Sequence, residues 1–65
     1  MSKASTIEMF CDAVRDNLGA TVHSSGAHGA VITCADAAQT RAVSFVAGRW
    51  FGLTADVRGL DVFVS

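Results

Sequence analysis

A small α+β domain, with two helices packed on one face of a small, mainly antiparallel sheet in the order α-β-β-α-β, is what this 65-residue sequence predicts. Three observations predict it. Apolar residues recur at helical spacing after Ser5 and again after Asp36, β-branched residues cluster in two runs between those segments, and the tail "LDVFVS" alternates. Elements that are apolar on one side only bury that side by stacking as two layers around one core.

The first helix spans about residues 6 to 18. "STIE" sets Ser5 three residues before Glu8, a capping box in which Ser5 accepts from a free backbone N–H and Glu8 reaches back. Ile7, Phe10, Cys11, Val14 and Leu18 then follow the i, i+3, i+4, i+7 spacing of one buried stripe. Gly19 stands where a left-handed C-cap is wanted. Residues 1–4 form a flexible lead into the single domain.

Two strands follow, "ATVHS" and "GAVITCA", joined by a glycine-containing turn at "SGAH". "DAAQ" is a second capping box, Asp36 with Gln39, and opens a second helix. Its expected stripe is Ala38, Ala42, Phe45, Val46 and Trp50, ending at Gly52. Gly48 costs about 1 kcal/mol against alanine in a helix and opens an earlier end near Ala47. In the tail, Leu60, Val62 and Val64 share one face while Asp61, Phe63 and Ser65 share the other, with "LTADV" available as a further short strand. The helix-facing set is then Val22, Ala30, Ile32, Cys34, Leu60, Val62 and Val64. The opposite face carries Thr21, His23, Val31, Thr33 and Phe63, and nothing covers Val31 and Phe63 there.

Composition narrows the function classes. The chain is 51% hydrophobic, 17% charged and free of proline, which describes a folding domain rather than a disordered one. Its size leaves little volume to wall off a catalytic cleft. A net charge of −1, with five cations spread singly, argues against direct nucleic-acid binding. Cys11 and Cys34 sit among apolar neighbours and make no disulfide framework, so the expected compartment is a reducing cytoplasm. No stretch reaches the ~18 apolar residues of a membrane span.

Four features compete as sites. His23 and His28 flank the hairpin turn, but zinc wants three or four ligands and no third is signalled. A Ser24 or Ser25 nucleophile needs an orienting group and an oxyanion hole that a hairpin turn does not offer. Neither metal, cofactor nor catalytic residue is expected, and the chain reads as a binding module rather than an enzyme. Glu8, Asp12 and Asp16 recur at i, i+4, i+8 on the polar side of the first helix. Four residues advance a helix by about 6 Å, comparable with phosphate spacing, while like charges at that spacing cost a helix a few tenths of a kcal/mol. An ordinary solvated helix face, with Arg15 partly neutralising Asp12, is the competing reading. Asp36, Asp56 and Asp61 are candidates to extend this acidic partner-binding surface. Trp50 and Phe51 in "GRWFG", with Phe63, are candidate aromatic or apolar contacts, although such a pair at a helix end more often closes the core, and at least one of Trp50 and Phe51 is expected there.

Two resemblances arise from these features. Helix, strand, glycine-bearing turn with histidine, and strand resemble the first half of the HicA-type toxins, small ribonucleases; that likeness makes His28 in "SGAHGAV" the catalytic residue. Those toxins carry lysine and arginine beside the histidine, and "HGAVITCADAA" has neither. In size, in helices around a small sheet and in an acidic helix face without catalytic groups, the whole chain is similar to phage-encoded anti-CRISPR proteins, the inhibitors of type I (I-C-like) systems in particular. That resemblance implies a stoichiometric inhibitor, in part a DNA mimic, that occupies the DNA- or PAM-reading surface of a surveillance-complex subunit in a bacterial cytoplasm. It transfers no individual residue. A homodimeric interaction module is the third reading, and either a monomer or a weak homodimer fits the chain's size.

Overall fold

The computed structural model describes residues 2–26 and 28–65, and for Ser24 and Ser25 the backbone alone. Ala27 and the side chains of the candidate nucleophiles Ser24 and Ser25 lie outside the described residues. The order is α1 (Lys3–Ala13), a π-helical turn (Val14–Leu18), β1 (Thr21–Gly26), β2 (Gly29–Thr33), α2 (Ala37–Phe51), β3 (Ala55–Arg58) and β4 (Asp61–Val64). The expected α+β architecture is present, with the segment around "LTADV" supplying a fourth strand.

Helix α1 starts earlier than expected. Ser2, not Ser5, is its cap: the Ser2 hydroxyl accepts from the Ser5 N–H at 3.2 Å, and the Thr6 N–H reaches the Ser2 carbonyl at 3.1 Å. Lys3 and Ala4, assigned by sequence to the flexible lead, form the first turn instead. "SKAS" offers serine at both positions, and the earlier cap adds helical backbone bonds without losing the capped N–H. Glu8 therefore plays no part in a capping box.

At its other end the helix widens. The Gly19 N–H returns to the Val14 carbonyl across five residues, with Gly19 left-handed at φ 69°. A wider turn disturbs the ladder, and the Asn17 side chain donates to the Ala13 carbonyl at 3.0 Å.

The second cap forms at Asp36 as expected, but the return bond of the box is shifted by one residue, to the N–H before the cap. Asp36 Oδ1 accepts from the Gln39 N–H at 2.8 Å, while Gln39 Oε1 accepts from the Ala35 N–H at 2.7 Å. The same Gln39 donates through Nε2 to the Leu18 carbonyl, tying the start of α2 to the end of the first helix. At the far end of α2, Phe51 meets Phe10 edge-to-face with ring centroids 5.6 Å apart. These two contacts make the helices antiparallel. The helix runs through Gly48 to Phe51 and stops at Gly52, left-handed at φ 65°.

The buried stripe of α2 is not the expected one. Thr40, Val43 and Ala47 are buried, with Val46 and Phe51 packed beside them, whereas Phe45 is 61% and Trp50 74% exposed and Ala38 lies in solvent. Residues 37–51 offer two apolar stripes. The narrower one lets α2 approach a layer already filled by Phe10, Ile32 and Val62, all fully buried.

Gly48 is an exposed glycine inside this helix, and a Cβ there would meet only the Leu53 carbonyl oxygen, at an ordinary 3.9 Å. Gly48→Ala is expected to stabilise the fold by about 0.5–1 kcal/mol by relieving the entropy that glycine loses. A thermal melt that is unchanged or lower would contradict it.

The sheet order is β1-β2-β4-β3, every neighbouring pair antiparallel. Helix α1 packs over β1 and β2, and α2 over β3 and β4. Ala30, Ile32, Cys34, Val62 and Val64 face the helices and are buried, with Val22 packed against them, as the alternation predicts. Leu60 is the exception at 45% exposed. It belongs with Gly59 to the tight turn between β3 and β4, so the alternation that reaches Val62 stops before it.

Candidate functional site

The residues with chemistry on them separate into three places. The first is the α1 surface. Glu8 and Asp12, one helical turn apart and both exposed, line a cleft of about 410 Å³ together with Arg15, Ile7, Cys11 and, from the β1 end, Gly26. Arg15 Nη1 donates to Asp12 Oδ1 at 3.2 Å, with both side chains more than half exposed. Water screens such a pair, and it contributes under about 1 kcal/mol. Among the described residues neither Glu8 nor Asp16 has an ion-pair partner. Asp16 is exposed in the π-helical turn and does not line the cleft.

Cys11 is the one thiol on the cleft wall. Burial pushes its pKa up, Arg15 pulling the other way and Asp12 adding to the rise. Cys34 is shifted in the same direction by burial and by Asp36 and Asp61. A raised thiol is protonated at neutral pH and is a poor nucleophile, so Cys11 acts as an apolar wall.

The second place is the open face of the sheet. Asp56 pairs with Phe63 and Arg58 with Asp61 in the β3–β4 ladder. Because facing residues share a side, these four stand together away from the helices. The Arg58 guanidinium lies 5.2 Å from the Phe63 ring centroid and bonds Asp56 at 3.1 Å. Thr33 Oγ1 donates to Asp61 Oδ1 at 2.8 Å. Val31 is half-buried and Phe63 38% exposed, so this face is uncovered, as the alternation predicts. The clustering of Arg58 with Phe63 is not visible in the sequence until the two-residue turn Gly59–Leu60 sets the register; read with that turn, the pairing of "DVR" against "DVF" yields it.

The third place is α2. Asp36 is spent as its cap, Phe51 closes the core against Phe10, and Trp50 stands in solvent near the C-terminal end. The six acidic candidates therefore do not form one surface. Glu8, Asp12 and Asp16 lie on the helix layer, while Asp56 and Asp61 lie on the opposite face of the sheet.

His28 is exposed in the β1–β2 turn. His23 is exposed at a β-bulge, since the register passes from Val22↔Ile32 to Ser24↔Val31 and leaves it unpaired. Among the described residues no three metal-binding side chains come together. No described helix is long and apolar enough to cross a membrane. No protein-family model, characterised protein or solved structure matches the chain.

Proposed function

We propose that this protein is a non-catalytic, protein-binding inhibitor acting in a bacterial cytoplasm, and that it presents the α1 face to a basic, nucleic-acid-reading groove of its partner. The observation that carries this reading is the placement of Glu8 and Asp12 on the exposed wall of one cleft, with Asp16 exposed beyond them. Carboxylates about 6 Å apart along a helix can occupy places that phosphates would take in such a groove. Asp12 shares its charge with Arg15, so the mimicry is local and leaves the chain's net charge at −1. By its resemblance to the small anti-CRISPR proteins, the partner is a subunit of a type I (I-C-like) surveillance complex, and the blocked step is target-DNA recognition.

The test is target-duplex binding by a purified type I-C surveillance complex with and without excess inhibitor, followed by mobility shift. Wild type is expected to suppress DNA binding. Asp12→Lys with Asp16→Lys is expected to weaken that suppression by about tenfold or more, equivalent to ~1.4 kcal/mol, with an unchanged circular-dichroism spectrum. Suppression by wild type should also weaken as salt screens the charges. No effect of wild type on DNA binding would reject the inhibitor reading; a double variant as potent as wild type would reject the acidic-face version of it.

A further inference from the structure

The two edges of the sheet differ. β1 carries the bulge at His23, a device that twists an edge strand and spoils pairing with another chain. β3, on the other edge, runs Ala55–Arg58 in unbroken register against β4, with no bulge, proline or lysine. The ladder continues past its start, where Thr54 and Ser65 exchange two backbone hydrogen bonds at 2.9 Å. Among the described residues no strand pairs with its outer side, which is a template for another strand, and Val57 at this margin is 47% exposed.

The side chains of β3 specify which strand fits. In an antiparallel pair, facing residues share a side of the sheet, so two copies related by a two-fold axis must centre on a residue. Centring on Asp56 or on Arg58 sets like charges against each other, which is destabilising. Centring on Val57 sets each Asp56 opposite the other copy's Arg58, and the two Val57 side chains against each other on the helix side. "DVR" is self-complementary in this register alone. Both charged side chains stand in solvent, at 60% and 72% exposed, where their own pairing at 3.1 Å exchanges for the other copy's charges at little cost. The stack of Arg58 on Phe63 holds the guanidinium at the strand.

We infer that β3 is a homodimerisation edge: two copies of the chain pair antiparallel through Ala55–Arg58 about Val57, making one continuous eight-stranded sheet with four alternating charges across the two-fold axis. This inference is independent of the inhibitor reading, which concerns α1. An isologous contact requires one self-complementary patch, and this strand supplies it. So short a contact falls in the transient class, below ~1,200 Å², and the dimer dissociates on dilution.

Sedimentation velocity of the whole chain tests it. The expected mass is near 6.7 kDa when dilute and rises towards twice that at high concentration, for instance between about 10 µM and about 1 mM, the span over which a transient contact fills. Asp56→Arg alone and Arg58→Asp alone each set like charges across the axis and are expected to stay monomeric at the highest concentration. An equimolar mixture of the two variants is expected to dimerise at least as well as wild type, because each supplies the other's missing charge; recovery on mixing also rules out misfolding as the cause. A wild type that is monomeric throughout, single variants that dimerise unchanged, or a mixture that stays monomeric would each overturn the assignment.

Discussion

Phe10→Ala is expected to leave the domain largely unfolded at 25 °C. Phe10 is the largest fully buried side chain among the described residues and sets its ring against Phe51 at the meeting of the two helices. Phenylalanine-to-alanine changes in a core cost about 3–5 kcal/mol, from lost transfer energy and from the cavity left behind. A chain of this length has on the order of 3–10 kcal/mol in total, at ~0.05–0.15 kcal/mol per residue. The loss is therefore comparable with everything available, and the small core offers few neighbours to collapse into the gap. Phe10→Leu, which keeps most of the volume, is expected to fold with a lowered melting temperature. Urea denaturation followed by circular dichroism measures both. An alanine variant with a midpoint near that of wild type would show that the helices do not depend on this contact.

Gly29→Ala is expected to be the second most damaging change, although it adds a single methyl group. A Cβ at Gly29 would lie 2.6 Å from the backbone carbonyl oxygen of Val64. That atom belongs to a paired strand, so the contact is relieved only by moving β2 or β4. Forced overpacking of this kind costs about 1–3 kcal/mol. Gly26, its register partner across the hairpin, provides the control: a Cβ there meets no described atom within 4 Å. Gly26→Ala is expected to melt close to wild type while Gly29→Ala melts well below it. Equal melting temperatures would mean that the end of β4 yields freely, and that Gly29 is not required by close approach.

These two positions show how unevenly the fold can be read in advance. Phe10 announces itself through its place in the stripe Ile7, Phe10, Cys11, Val14, because helical periodicity is local. Gly29 does not, because what it must avoid lies 35 positions away in the sequence. The site divides the same way. Glu8 and Asp12 are recognisable as a pair on one helix face, but the cleft they line needs Gly26 from the hairpin. Asp56 and Asp61 look like extensions of the same acidic surface until the sheet places them on its far side, beside Arg58 and Phe63. Charge adjacency across layers depends on topology and carries no signature along the chain.

Legible along the chain are the elements and several of their ends: the Asp36 cap, the left-handed glycines at 19 and 52, and the alternation that buries Val62 and Val64. Each follows from interactions within a few residues, which a chain carries wherever it goes. Tertiary structure decided between local alternatives of nearly equal cost. It chose the stripe of Thr40, Val43 and Ala47 over that of Phe45 and Trp50, and β3 as the unbulged edge, whereas the cap at Ser2 rather than Ser5 is a local choice among exposed residues. Local energies differ by about 1 kcal/mol or less in such choices, whereas burying or exposing a large side chain shifts the balance by about 1.5–3 kcal/mol. Packing against distant residues therefore settles what the neighbouring residues leave open.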